Sequence, residues 1–133
     1  MAVVSTESVP IQSEPDVVTV RRRVREVSAQ LGLSLVDQTK IITAASELAR
    51  NAIIYGGGGS VQVQTLNGPR VGLRLTFEDH GPGIPDLELA LRDGFTTGTG
   101  LGLGLGGSKR LVNEFEIVSR PGEGTRITIT RWK

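Results

Sequence analysis

The sequence predicts an α+β fold: a two-layer α/β sandwich whose mixed, mostly antiparallel sheet carries its helices on one face. Three observations predict it. Two long segments in the first half space their apolar residues by three and four, as one face of a helix does. Several short segments alternate apolar and polar residues and are joined by Gly/Pro turns, as antiparallel strands are. A glycine run, Gly98-Thr-Gly-Leu-Gly-Leu-Gly-Leu-Gly-Gly107, then opens a third helical segment. The 133 residues suffice for one domain with a core, taken as 1–133.

In chain order, residues 1–8 are polar and are expected to fray, with Val9–Ile11 as a short edge strand. Pro15-Asp16 marks a helix start, with Asp16 as N-cap. Val17, Val20, Val24, Val27 and Leu31 form its apolar face, and Gly32 ends it. Arg21, Arg22, Arg23 and Arg25 lie mostly off that face and are read as solvated; the alternative is a docking patch for an acidic partner. Ser34-x-x-Asp37 resembles a capping box with a shorter acid. The second helix is expected over 35–55, with Ile41, Ala45, Leu48, Ala49, Ala52 and Ile53 buried and Gly56–Gly59 as its stop. Glu47 and Asn51 sit four apart beside this stripe. From spacing alone they read as an ordinary polar flank; the alternative is a carboxylate and a carboxamide converging on a ligand.

Strands are expected over 60–66 and 71–77, the second antiparallel to the first across the Asn67-Gly-Pro69 turn. The second delivers Glu78-Asp79 to its end, where His80-Gly-Pro-Gly83 breaks it. Asp79 is read either as part of a plain turn or as an acceptor for a ligand's N–H donors. His80, the one histidine, has no cysteine or second histidine for company and is read as a loop residue. Segment 84–93 is expected as a short helix and, between glycine-rich hinges, as a movable lid. A helix follows over 104–113, then a third core strand over 115–119, the Pro121-Gly-Glu-Gly124 turn and a last strand over 125–132.

Composition narrows the function classes. Fifteen basic and fourteen acidic residues nearly cancel, so no strong pull toward nucleic acid or membrane is expected. Absence of cysteine excludes disulfides and thiolate metal sites. No signal-peptide pattern and no apolar run of membrane-spanning length is present, so a soluble, cytoplasmic protein is expected.

The glycine run is the most unusual stretch. A solvated linker would carry serine and charge where this run carries leucine. Glycines entering a helix present bare N–H groups to one point, which suits a phosphate. Gly102-x-Gly104-x-x-Gly107 fits a dinucleotide fingerprint by spacing, but no strand precedes it. A Walker loop is also absent, since Ser108 and not glycine precedes Lys109.

Taken in order, Glu47-x-x-x-Asn51, Asp79-x-Gly81-x-Gly83, a glycine run opening a helix, and Gly124-Thr125 resemble the ATP-binding (Bergerat, GHKL) fold of histidine kinases, Hsp90, gyrase B and MutL. Ser46-Glu-Leu-Ala-Arg-Asn51, Glu78-Asp-x-Gly-Pro-Gly-Ile-Pro-Asp86, Asp93-Gly-Phe-Thr97, Lys109-Arg-Leu111, Glu114-Phe-Glu-Ile117 and Gly122-Glu-Gly-Thr125 resemble more closely the RsbT type, serine-protein kinases of sigma-factor partner switching. The resemblance covers nearly the whole chain, from about Ile11 to Trp132. It implies ATP and Mg²⁺ as ligands. Asn51 would give an oxygen to Mg²⁺. Glu47 would orient or deprotonate the attacking serine hydroxyl. Asp79 would accept from the adenine amine, helped by a water and the Thr125 hydroxyl. Gly81 and Gly83 would let the chain curve under the base. The stretch Gly98, Thr99, Gly100, Leu101, Gly102, Leu103 and Gly104 would cradle the phosphates. Lys109 and Arg110 are read either as phosphate-charge partners or as surface residues.

Neither the separate phospho-acceptor helix pair of a sensor histidine kinase nor a transducer domain of the gyrase or Hsp90 sort is expected in these 133 residues. The resemblance therefore implies a protein substrate, a STAS-domain antagonist of the RsbS kind, and a second partner, a PP2C-type phosphatase of the RsbU kind. Two alternatives stand beside it: a nucleotide-gated binding module with negligible turnover, and a direct anti-sigma factor of the RsbW or SpoIIAB type.

Overall fold

The computed structural model describes residues 2–84 and 104–133. The sheet and two long helices appear where the periodicity put them. Strand β1 (Ala2–Ile11) leads into helix α1 (Glu14–Gln30) and helix α2 (Leu35–Ile54). Strands β2 (Gly59–Asn67) and β3 (Gly72–Asp79) follow, then a short helix α3 (Gly104–Arg110) and strands β4 (Glu114–Arg120) and β5 (Gly124–Trp132). The five strands lie in the order β1-β2-β3-β5-β4. Every pairing among these described strands is antiparallel, and the helices lie on one face, in keeping with the expected mostly antiparallel sandwich.

The register sorts the sheet into two faces. On one, Val61, Phe77, Ile127 and Ile117 form a cross-strand row, and Val63, Leu75, Ile129 and Phe115 form the next. This face meets Val17, Val20 and Val24 of α1, Ile41, Ala45, Leu48 and Ala52 of α2, and Leu105 of α3 in one core. The other face carries Gln62, Thr76, Thr128 and Glu116 in one row and is mostly polar, with Val118 among its few apolar residues. Such a one-sided sheet needs apolar residues only at alternate positions.

That one-sidedness accounts for the first correction. Residues 2–8, expected to fray, instead extend β1, which pairs with β2 from Ala2↔Asn67 to Ile11↔Gly59. A strand can be rich in Ser and Thr when one of its faces is wet. A second correction concerns α1. Its N-cap is Ser13, and Asp16 sits inside the first turn, where its carboxylate accepts from the backbone N–H groups of Gln12 (2.8 Å) and Ser13 (3.3 Å). At α2 the reading holds in part: Ser34 Oγ accepts from the Asp37 N–H at 3.1 Å. Strand β4 lies at the sheet edge, and its Phe115 and Ile117 pack on the core as expected of a core strand. Helix α3 stops at Arg110, short of the expected Asn113.

Of the arginines on α1, Arg21, Arg22 and Arg25 are exposed as expected. Arg23 is drawn inward, where its guanidinium donates to Glu7 of β1 and Glu26. The hydrogen bond to Glu7 raises its pKa further. No helix among the described residues is long and apolar enough to cross a membrane.

Candidate active site

The apolar rows of the helix-facing side end abruptly. The next cross-strand row is Gly59, Asp79, Thr125 and Ser119. Polar side chains on this face need a partner or a ligand, because the helices exclude water from the rows behind them. β3 delivers Asp79 to this row because its alternation puts Leu73, Leu75 and Phe77 inward, and position 79 is next in phase.

Backbone surrounds Asp79 more closely than any side chain would allow. A Cβ at Gly56, just past the end of α2, would lie 2.3 Å from Asp79 Cγ. A Cβ at Gly81 would lie 2.6 Å from Gly56 Cα. Gly124 has φ +85°, and a Cβ there would lie 2.1 Å from the Asp79 carbonyl oxygen. Glycine at these positions lets the end of α2, the turn after β3 and the start of β5 converge on one carboxylate. Asp79 Oδ1 accepts from the Gly81 N–H at 3.0 Å, which fixes the carboxylate and curls the chain beneath it. Gly83 has φ +79° and abuts the Arg120 carbonyl. The Gly122 N–H donates to the Pro82 carbonyl at 2.8 Å, so this loop is stitched to the β4–β5 turn.

Thr125 stands directly across from Asp79, and its hydroxyl lies 2.9 Å from Ser119 Oγ. Ser119 also accepts from the Ile84 N–H at 2.7 Å. The sequence reading missed Ser119. Its signal was present: counting outward from the Pro121-Gly-Glu turn sets Ser119 opposite Thr125.

Glu47 and Asn51 lie on α2, on the turns before Gly56. Glu47 is only 4% exposed, so it belongs to the buried side of the helix and not to a solvated flank. The Arg50 guanidinium lies 3.9 Å from its carboxylate and 3.5 Å from that of Glu14 on α1. The buried charge therefore has a cation beside it. Asn51, one turn on, is half-buried. Gly56, just past the end of α2, sets that end of the helix against the Asp79 side chain. His80 is exposed, as a loop residue should be.

Gly98, Thr99, Gly100, Leu101, Gly102 and Leu103 lie outside the described residues, as does most of the expected lid helix and lid. Gly104 begins α3, whose Leu105 enters the core. Lys109 and Arg110 are both exposed.

An acceptor held in a glycine cradle at one end, and a carboxylate–carboxamide pair on the adjoining helix, are the parts of a nucleotide-dependent ATPase or kinase domain. The family described as histidine kinase-, DNA gyrase B- and HSP90-like ATPase matches residues 19–133, and the chain belongs to it. A serine/threonine-protein kinase RsbT of Bacillus subtilis (strain 168) is 46% identical over 125 residues, 93% of this chain and 94% of that protein. The chain is thereby a protein serine/threonine kinase of the RsbT type. An anti-sigma F factor of Thermoanaerobacter sp. (strain X514) is 32% identical over 84% of this chain and 82% of its own. Among solved structures, one of RsbU and RsbW domains from Mycobacterium tuberculosis superposes with TM-score 0.66 at 23% identity, covering 97% of this chain and 33% of that one. The mycobacterial sensor histidine kinase MprB superposes with TM-score 0.56 at 22% identity, over 96% of this chain and 97% of that one. These two likenesses show the shared fold. Use of ATP follows from the family.

Proposed function

We propose that the chain transfers the γ-phosphoryl group of ATP to a serine of a STAS-domain antagonist of the RsbS kind, and that, once released, it activates a PP2C-type phosphatase of the RsbU kind. The single observation that carries the nucleotide site is the Asp79–Thr125 pair, the polar end of an otherwise apolar sheet face. Asp79 accepts from the adenine amine, with Thr125 and a water beside it. Gly56, Gly81 and Gly124 keep side chains away from that carboxylate, so a flat base can reach it.

Glu47 takes the proton of the attacking serine as general base. Its burial limits competition from water, and Arg50 holds its place beside α1. Asn51 offers a neutral oxygen to Mg²⁺. A hard cation of this kind takes its other ligands from phosphate oxygens and water. When bound, Mg²⁺ neutralises phosphate charge; the chain's own work is positioning, which is most of what phosphoryl transfer asks. The glycine run 98–104 supplies the N–H groups for the phosphates.

The test is incubation with labelled ATP, Mg²⁺ and the STAS partner. The expected result is label on the partner, falling by two orders of magnitude or more, about 3 kcal/mol, in Glu47→Ala. Tight ATP binding without transfer would favour the nucleotide-gated module. The 32% identity to an anti-sigma F factor supports a second reading, direct capture of a sigma factor, and a pull-down that retains a sigma factor but no STAS protein would establish it.

A further inference from the structure

We propose that Ser119 is a positioning residue that fixes the direction of the Thr125 hydroxyl proton and so sets selectivity for an amine over a carbonyl on the bound base. This rests on the reading of Asp79 and Thr125 as the base-binding pair. The argument is a count of protons. Ser119 Oγ has three partners: the Ile84 N–H at 2.7 Å, the Gly124 carbonyl at 3.2 Å and the Thr125 hydroxyl at 2.9 Å. A hydroxyl has one proton to give and two lone pairs to receive. Ile84 can only donate, and the Gly124 carbonyl can only accept. All three contacts are satisfied in one way alone: Ser119 gives its proton to Gly124 and receives from Ile84 and Thr125.

The Thr125 proton is then spent on Ser119. On the sheet face that it shares with Asp79, its partner across the sheet, the Thr125 oxygen then has only lone pairs left to offer. Asp79 is itself an acceptor, already oriented by the Gly81 N–H at 3.0 Å. Two acceptors side by side favour an N–H₂ group and repel a carbonyl. Ser119 touches neither base nor phosphate in this account; it acts through Thr125. Its bond to Ile84 also anchors the chain at the point where segment 85–103 begins.

The experiment measures affinity for ATP and for inosine triphosphate, which bears a carbonyl in place of the amine, by calorimetry in the full chain. The wild type should prefer ATP. Ser119→Ala frees the Thr125 proton to point into the pocket, and the ATP-to-inosine-triphosphate ratio should fall about tenfold, the worth of one hydrogen bond. Ser119→Thr keeps the hydroxyl and should restore the ratio. Thr125→Val should also lower the ratio, and adding Ser119→Ala to it should change the ratio no further. A merely structural role would weaken both nucleotides alike; an unchanged ratio in Ser119→Ala overturns the proposal. If that variant does not fold, an unchanged ratio in Thr125→Val overturns it and a lowered one supports it. Asp79→Asn with unaltered ATP affinity would instead overturn the underlying base-binding reading, so the two failures are distinguishable.

Discussion

At the scale of single residues, the site is built as much from missing side chains as from present ones. Gly56 is the clearest case. The sequence marked it as one of four glycines that stop a helix, yet the structure sets it against Asp79 with no space for a methyl group. Gly56→Ala should therefore displace the carboxylate and weaken ATP binding about tenfold or more, with the circular dichroism of the sheet and helices retained. Asn51→Ala should abolish the Mg²⁺ dependence of ATP binding; a titration with and without Mg²⁺ reads this directly, and a retained dependence would move the cation elsewhere. Asp79 was legible from the sequence because strand alternation carries phase to position 79. Its neighbours were not, because close approach of backbone depends on how two distant elements meet, and no local pattern encodes that.

Between elements, the site depends on how α2 is held to the sheet at both of its ends. At its far end, Asp37 in the first turn receives a hydrogen bond from Arg131 of β5, whose guanidinium also donates to the Leu111 carbonyl just after α3. The Arg131 hydrogen bond holds the Asp37 carboxyl below the usual carboxylate range. Its folded value being depressed, this contact stabilises the fold above pH about 4 and is lost as pH falls through the folded value. Asp37→Asn should lower the urea midpoint at pH 7, and the gap to wild type should narrow at pH 3. In the middle of α2, Leu48 is 1% exposed and packs in the shared core. Leu48→Ala should cost about 2–5 kcal/mol of unfolding free energy. The helices were legible over most of their length because a single 3.6-residue stripe dominates each. β1 was not, since its polar face reads as loop until the wet side of the sheet is known.

For the whole molecule, the antiparallel order β1-β2-β3-β5-β4 brings three things to one end of the sheet: the end of β3, the start of β5 and the last turns of α2. Residues 79 and 125, far apart in the chain, become neighbours through that topology, and the end of the helix that carries residues 47 and 51 abuts residue 79. The sequence showed their identities in order, but not that Ser119 completes their row. The central claim is that the Asp79 carboxylate receives the adenine amine. Calorimetric titration of ATP into the wild type and Asp79→Asn tests it most directly. A loss of affinity of about tenfold or more, with the melting temperature of the nucleotide-free protein unchanged, is the predicted result. Equal affinity in the two proteins would contradict it.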